Sequence, residues 1–422
     1  MKHFVSSDAA RAPFESVPAR EQPAALNGPC RRVSGIFSVL CLLSGLLSAQ
    51  STPEQLAYML STRYTPYIEG THIVNVEQLA TQEVETWWTS PAAMRRERIS
   101  GAHGSDCVLE GQSQSLPLSG LHLALDPGHV GGVWAHWEWR DFRIAETDHW
   151  VREGELVLEV AQRIRNELVR LGAQVTLLRE TCQPVNPKRS ADYWAAAAAQ
   201  LTPPTACNLQ AQVEHALAVR NRAVRLAIVT GELAERARVV NEELRPDVLL
   251  SLHINAAAWP PGPTQQLVDS NHVHVLVFGC LSESELATAQ HQTQLARKML
   301  NGSGGIEAVL GAALGRSFGD VTGLPPSDYQ GLNAIRIDAE VPYLWARNLM
   351  LLRQVECPTV LLEPYVANSE REYKRIQQAL IARACHEPLP ADDILVEYAT
   401  AVVRGVLQAY GPVDWPLSQT GH

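Results

Sequence analysis

Three short runs of this sequence are apolar almost from end to end: "LHLALD" at 121–126, "DVLLSLHIN" at 247–255 and "CPTVLLEPY" at 357–365. A strand with one face in water alternates polar and apolar residues. These runs do not, so they predict strands covered on both faces, as in a parallel sheet packed between helices. The intervening segments supply the helices. "EGELVLEVAQRIRNELVRLG" puts Val157, Ala161, Ile164 and Leu168 on one stripe and ends at Gly172, a residue suited to stopping a helix. "AQVTLL" reads as the next strand, 211–244 as helical, and "ADDILVEYATAVVRGVLQAYG" as a closing helix. "HVHVLVFG" alternates and predicts a more exposed strand. Strands alternating with helices give an α/β layer fold with a largely parallel sheet.

The 422 residues are 46% apolar, enough for a full core, and no internal repeat is present. A net charge of −10 argues against a nucleic-acid partner, which calls for a basic face. "RRVSGIFSVLCLLSGLLSA" at 31–49 has two arginines before a short apolar run that ends in small residues. That is the layout of a secretory signal peptide and is short for a membrane span. The expectation is a leader over 1–49, export to the periplasm or cell envelope, and no stable membrane span once the leader is removed. Residues 50–117 read as a helical lead-in and linker, with "TPEQLAYMLS" carrying a helix-start pattern. None of the eight cysteines forms a CxxC pair, which disfavours a cysteine zinc site. Cys182 and Cys207 bracket one insertion and are candidates to close it in an oxidising compartment.

Polar groups sit at the ends of the buried strands. His129 follows the first, His253 lies near the end of the second, and Glu363 ends the third. Glu153 opens the helix after the first strand. Sites in open parallel sheets form beyond the carboxyl ends of the strands. Two histidines and a carboxylate are a common ligand set for catalytic zinc, with a position left for water. Hydrolysis also needs a base, so of two glutamates one binds metal and one moves protons. Each residue has a plainer reading by itself. Asp126-Pro127-Gly128 is a good turn, Glu153 suits a first helical turn, and a histidine in a buried strand is usually hydrogen-bonded core. A carboxylate directly after Val-Leu-Leu needs a partner if buried. Their joint occurrence favours a metal site, with Pro127 and Gly128 aiming the imidazole and Asp126 orienting a ligand.

Four ordered motifs spanning 118–411 resemble the zinc-dependent N-acetylmuramoyl-L-alanine amidases of the type-3 class. "LSGLHLALDPGHVGG" looks like that family's first zinc-ligand turn, and "REGELVLEVAQRI" like its glutamate helix, in a register that selects Glu153 over Glu155. "ERARVVNEELRPDVLLSLHINA" resembles the second histidine strand, and "CPTVLLEPYVANSERE" the closing motif. The resemblance implies a mixed, mostly parallel sheet flanked by helices on both faces, of the phosphorylase/hydrolase type. It also implies Zn2+ on His129, Glu153 and His253, Glu363 as catalytic acid/base, and Arg236, Asn241, Asn255 and Asn368 as framework. The implied substrate is peptidoglycan, with a protein activator as a possible partner. Two other readings keep these residues: a non-catalytic or regulatory wall-binding domain, and a zinc peptidase on another cell-wall amide.

This chain departs from the family pattern in places. Val130 replaces a glycine after the first histidine, which is tolerable if the backbone there is not left-handed. Insertions are expected near 134–150, 181–235 and 281–345, with a tail over 412–422. The first carries Trp134, Trp137, Trp139 and Trp150 as candidates for a sugar-stacking rim, and His136 and His149 as rival ligands. Some family members carry a helix that blocks the zinc, and "GIEAVLGAALGRSFG" at 305–319, with Glu307, is the candidate here.

Overall fold

The computed structural model describes residues 51–68, 74–103, 116–205 and 208–413. The expected leader, most of the expected linker, Cys207 and most of the expected tail lie outside these residues. Nine strands occur among the described residues: β1 (His122–Pro127), β2 (Asp141–Phe142), β3 (Val151–Arg152), β4 (Gln174–Leu177), β5 (Val248–Leu252), β6 (Val273–Phe278), β7 (Ala334–Arg336), β8 (Leu344–Arg347) and β9 (Thr359–Pro364). Seven form one sheet in the order β4-β1-β5-β9-β6-β8-β7, and β2 and β3 form a separate hairpin. Within the main sheet, β4, β1, β5 and β9 run parallel, β6 is antiparallel to β9 but parallel to β8, and β7 is antiparallel to β8.

Alternation of side chains sorts each strand between two cores. Leu123, Leu125, Leu250, Leu252, Val275 and Leu362 face one side, where the helices Glu153–Arg170, Ser303–Thr322 and Ile394–Tyr410 cover them. Leu276, Phe278 and Leu361 face the other, beneath Leu56, Leu60 and Tyr64 of the lead-in and Leu295 and Met299 of the helix Ala289–Leu300. The layers are those of an α/β fold with helices on both faces. The buried stripe Val157, Ala161, Ile164 and Leu168 is fully inside, and Gly172 leaves the helix with φ 94°.

The structure corrects two expectations. β6 is buried at every position, because helix Ser303–Thr322 covers one face and the lead-in the other. The candidate blocking helix at 305–319 is part of helix Ser303–Thr322, which covers one face of the sheet. That helix is rich in small residues because it packs closely. A Cβ added at Gly311 would lie 2.6 Å from Leu344 Cδ1, and one at Gly315 2.7 Å from Tyr343 Cβ. Nor does Glu307 reach a metal. It is 1% exposed, pairs with Arg63 and Lys298, and accepts the Thr359 N–H at 3.2 Å. Thr359 opens β9 and Glu363 nearly closes it, so the two acids sit at opposite sheet edges, roughly 13 Å apart along the strand at about 3.3 Å per residue.

The lead-in is integral to the fold. Thr52 caps helix Pro53–Met59 in a capping box. Arg63 donates to the carbonyls of Phe278 (2.9 Å) and Gly304 (2.9 Å) and pairs with Glu307, while Lys298 Nζ lies 2.9 Å from that same carboxylate. The segment after β4 is a helical unit with its own small core of Ala197, Val219, Ala223 and Leu226. Cys182 forms no disulfide among the described residues, and its suggested partner Cys207 lies outside them.

Burial pushes the Glu307 carboxyl up, but Lys298 and Arg63 outweigh it and hold it below the ordinary glutamate value. Its contribution to stability is therefore present above that value and lost as pH falls through the lower folded one. Replacing Glu307 with alanine strands two buried cations and should cost about 3–5 kcal/mol in denaturant unfolding near neutral pH. The deficit should shrink on acidification, and zinc affinity should be unchanged in the folded variant.

Candidate metal centre

β1, β5 and β9 end at the same sheet edge, and the backbone beyond them is built to converge. Gly128 N–H donates to the Leu252 carbonyl (2.8 Å) and His253 N–H to the Leu362 carbonyl (2.8 Å), so pairing continues past the strand ends. His129 itself takes the left-handed conformation, with φ 54°, whereas Val130 does not. Gly128 has to be glycine for a local reason. A Cβ there would lie 2.3–2.6 Å from three atoms of the His253 imidazole.

Two buried arginines hold this turn from behind. Arg236 donates to Asp126 Oδ1 (2.7 Å) and to the carbonyls of Pro127 and His129 (both 2.9 Å). Glu232, one turn earlier on the same helix, balances its charge at 2.8 Å. Arg179 donates to the carbonyls of Pro127 (3.0 Å), Gly128 (3.2 Å) and Gly154 (2.6 Å), which ties the first-strand turn to the start of the glutamate helix. Burial and the nearby Arg236 push Arg179 down to about 10.

Three side chains meet at this edge. Glu153 Oε2 lies 3.3 Å from His129 Nε2, and Glu153 Oε1 lies 3.0 Å from His253 Nδ1. One ligand atom from each of the three residues falls within 4.8 Å of the others. The two imidazole rings are 5.0 Å apart and nearly perpendicular. Zinc bonds of about 2.0–2.1 Å give a tetrahedron edge of roughly 3.3 Å, so the spacing and the donor set both suit a zinc ion. Burial pushes the Glu153 carboxyl up, but His129, His253 and Arg140 outweigh it and hold it down at about 2. Burial works against a charged His253, yet the hydrogen bond to Glu153 and the charges of Glu153, Glu363 and Asp126 leave it raised.

Glu363 stands beside this cluster, its side chain 22% exposed, with His274 Nδ1 3.5 Å from Oε2. Burial raises its carboxyl, but the hydrogen bond from His274 and the charges of His253 and His274 hold it below the ordinary value. It is thus a carboxylate at neutral pH, close to three candidate ligands and without an arginine partner among the described residues.

No protein-family model matches this chain, and no curated protein does. Among solved structures it is similar to the N-acetylmuramyl-L-alanine amidase Ami1 of Mycobacterium smegmatis, with 16% identity, 70% of this chain and 98% of that one covered, and a TM-score of 0.38. It is also similar to the N-acetylmuramoyl-L-alanine amidase AmiC2 of Nostoc punctiforme (15% identity, 69% and 97% covered, TM-score 0.35). A third is the N-acetylmuramoyl-L-alanine amidase of Clostridium difficile 630 (16%, 71% and 98%, TM-score 0.34).

The remaining residues singled out in the sequence fall into place unevenly. Asp126 touches no ligand side chain. It accepts from Ser251 Oγ (2.7 Å) and Arg236, and so acts on His129 only through the Arg236 clamp. Asn255 and Asn368 knit the exits of β5 and β9 together: Ala367 N–H donates to the Asn255 carbonyl (2.8 Å), and Asn368 brackets both backbone groups of Ala257 (2.9 and 3.0 Å). Asn241 is away from the site. It bonds Gln354 and Glu356 (both 2.9 Å) just before β9 begins, at the other edge. His136 is exposed and faces Asp141, and His149 N–H bonds Gln377, so neither joins the cluster. Trp134 and Trp137 are half-buried, Trp139 is exposed with the Arg225 guanidinium 3.4 Å from its ring centre, and Trp150 lies under Arg143.

Sequence reasoning missed Glu138. It lies 3.3 Å from His129 Nδ1 and accepts the Val130 N–H at 2.9 Å. With Nδ1–H given to Glu138, His129 presents the Nε2 lone pair to the cluster. It also missed Arg140, whose Nε sits 3.2 Å from His129 Nε2, and Tyr398, whose hydroxyl donates to the His253 carbonyl (3.0 Å). A carboxylate nine residues after a histidine is no motif. Only the hairpin β2–β3 and the short helix Ala135–Glu138 bring it back.

Glu138→Gln should weaken zinc binding on the order of 10- to 100-fold in a competition titration, with the fold intact. Since His253 keeps its proton above the ordinary histidine value of 6.5, zinc must displace it. Affinity should therefore fall as pH is lowered, starting above that value, and calorimetry in buffers of different ionisation enthalpy should register proton release.

Proposed function

We propose that this chain is a zinc-dependent hydrolase that cleaves the amide between the lactyl group of N-acetylmuramic acid and the L-alanine of the stem peptide in peptidoglycan. One observation carries the reading: His129, Glu153 and His253 converge at one sheet edge beside a second acid, Glu363, that is ionised. The substrate class follows from the four ordered motifs. Peptidoglycan lies outside the cytoplasm, so the reading includes export, with the leader-like run at 31–49 as its route.

Zinc on His129, Glu153 and His253 would polarise the scissile carbonyl and make a water acidic near neutral pH. The protein's own groups do the rest. Glu363, a carboxylate in the resting site, takes a proton from the attacking water and returns it to the leaving amine of L-alanine. Glu138 and Arg236 fix the His129 ring and its backbone, and Tyr398 fixes the His253 carbonyl. The ligand set and the base are thereby held in place for the attacking water, which is where positioning lowers a barrier.

The test uses the chain from residue 50 onward on purified peptidoglycan. Free L-alanine amino termini should appear, disappear with a chelator and return with zinc. Glu363→Gln should keep stoichiometric zinc and lose at least about 100-fold in rate. Cleavage that survives in this variant, or new termini at another bond, would contradict the assignment.

A further inference from the structure

β6 runs antiparallel beside β9 and sets His274 directly opposite Glu363. Neither His272 nor His274 belongs to the motifs that carry the zinc site. Yet β6 is otherwise filled by Val273, Val275, Leu276, Val277 and Phe278. An imidazole in such a strand is costly unless its nitrogens are used.

The ring is clamped. His272 stacks on it at 4.6 Å with planes 9° apart, and Tyr329 packs 4.8 Å from it and is itself wedged against Trp345 at 5.2 Å. Asn255 Nδ2 lies 3.1 Å from His272 Nε2, which makes that nitrogen an acceptor and anchors the stack to the exit of β5. Burial and the neighbouring His274 push His272 down to about 4, so it is uncharged at neutral pH.

His274 Nδ1 faces two oxygens, Tyr329 Oη at 3.0 Å and Glu363 Oε2 at 3.5 Å. A bare lone pair on that nitrogen would repel the carboxylate, so the geometry assigns the proton to Nδ1. The Tyr329 oxygen then accepts from Nδ1–H and from Arg347 Nη1 (3.4 Å). Nδ1–H is thus shared between Tyr329 Oη and Glu363 Oε2, while Arg347 Nη1 anchors the tyrosine oxygen.

Resting on the reading of Glu363 as the proton shuttle, we propose that His274 is its positioning residue: Nδ1–H, aimed by Tyr329 and the His272 stack, holds one carboxylate oxygen across the β6–β9 pair and keeps Glu363 in a single orientation beside the metal cluster.

Two substitutions of the zinc-loaded chain separate this from a packing role. His274→Phe keeps a ring between His272 and Tyr329 but removes both nitrogens. His274→Asn places an amide N–H near the position of Nδ1. The expected result for His274→Phe is a fall in kcat on the order of 10- to 100-fold with KM and zinc content unchanged, and His274→Asn should recover part of the loss. An unchanged kcat in His274→Phe, or no recovery in His274→Asn, would overturn the assignment.

A third measurement needs no turnover. The 15N resonance of His274 Nδ1 in zinc-loaded wild type should move when Glu363 is replaced by glutamine. An unmoved resonance would break the pairing whatever the enzyme hydrolyses, whereas a moved one in a chain that cleaves no peptidoglycan would sink only the proposed substrate.

Discussion

The guanidinium of Arg236 is the contact on which the site depends. It is 1% exposed, and burying a bare cation costs several kcal/mol. Asp126 and Glu232 balance the charge, and the carbonyls of Pro127 and His129 take up the remaining donors. Through these partners one side chain joins three parts of the chain. Asp126 leads to Ser251 on β5, the carbonyls fix the turn that presents His129, and Glu232 accepts the N–H groups of Val185 and Asn186 in the segment after β4. Arg179 repeats the device on the other side of the turn and reaches the first turn of the glutamate helix. The ligand cluster is therefore set by buried charge behind it as much as by the sheet in front.

That arrangement explains how a site with three carboxylates stays ordered. Glu153, Glu138 and Glu363 would repel one another if left alone. Each instead faces an imidazole: Glu153 lies between His129 and His253, Glu138 sits behind His129, and Glu363 is opposite His274. All three carboxyls are held below their ordinary values despite burial. A dication would meet carboxylates that are already ionised.

Much of this was legible in the sequence because it is local. Continuous apolar runs mark β1, β5 and β9, and the residue that ends each run is placed by the strand itself, which puts His129, His253 and Glu363 at one edge. The period of 153–170 orients its helix, and with it Glu153. What was hidden depends on tertiary placement. The alternation of "HVHVLVFG" suggests an exposed strand, but the lead-in packs on the face that alternation would leave bare. Small residues at 303–319 resemble a mobile plug, yet Gly311 and Gly315 reflect close packing against Leu344 and Tyr343. Asn241 lies on a helix that points toward the opposite edge. Glu138 and His274 carry no local signature, since a hairpin and an antiparallel neighbour bring them in.

The central claim is that His129, Glu153 and His253 hold one metal ion. The most direct measurement is a crystal structure of the zinc-loaded chain with anomalous data at the zinc edge. The expected result is a single strong peak between the three side chains, with two nitrogens and a carboxylate oxygen at about 2.0–2.2 Å. A peak elsewhere, or an empty cluster in a crystal grown with excess zinc, would contradict the account.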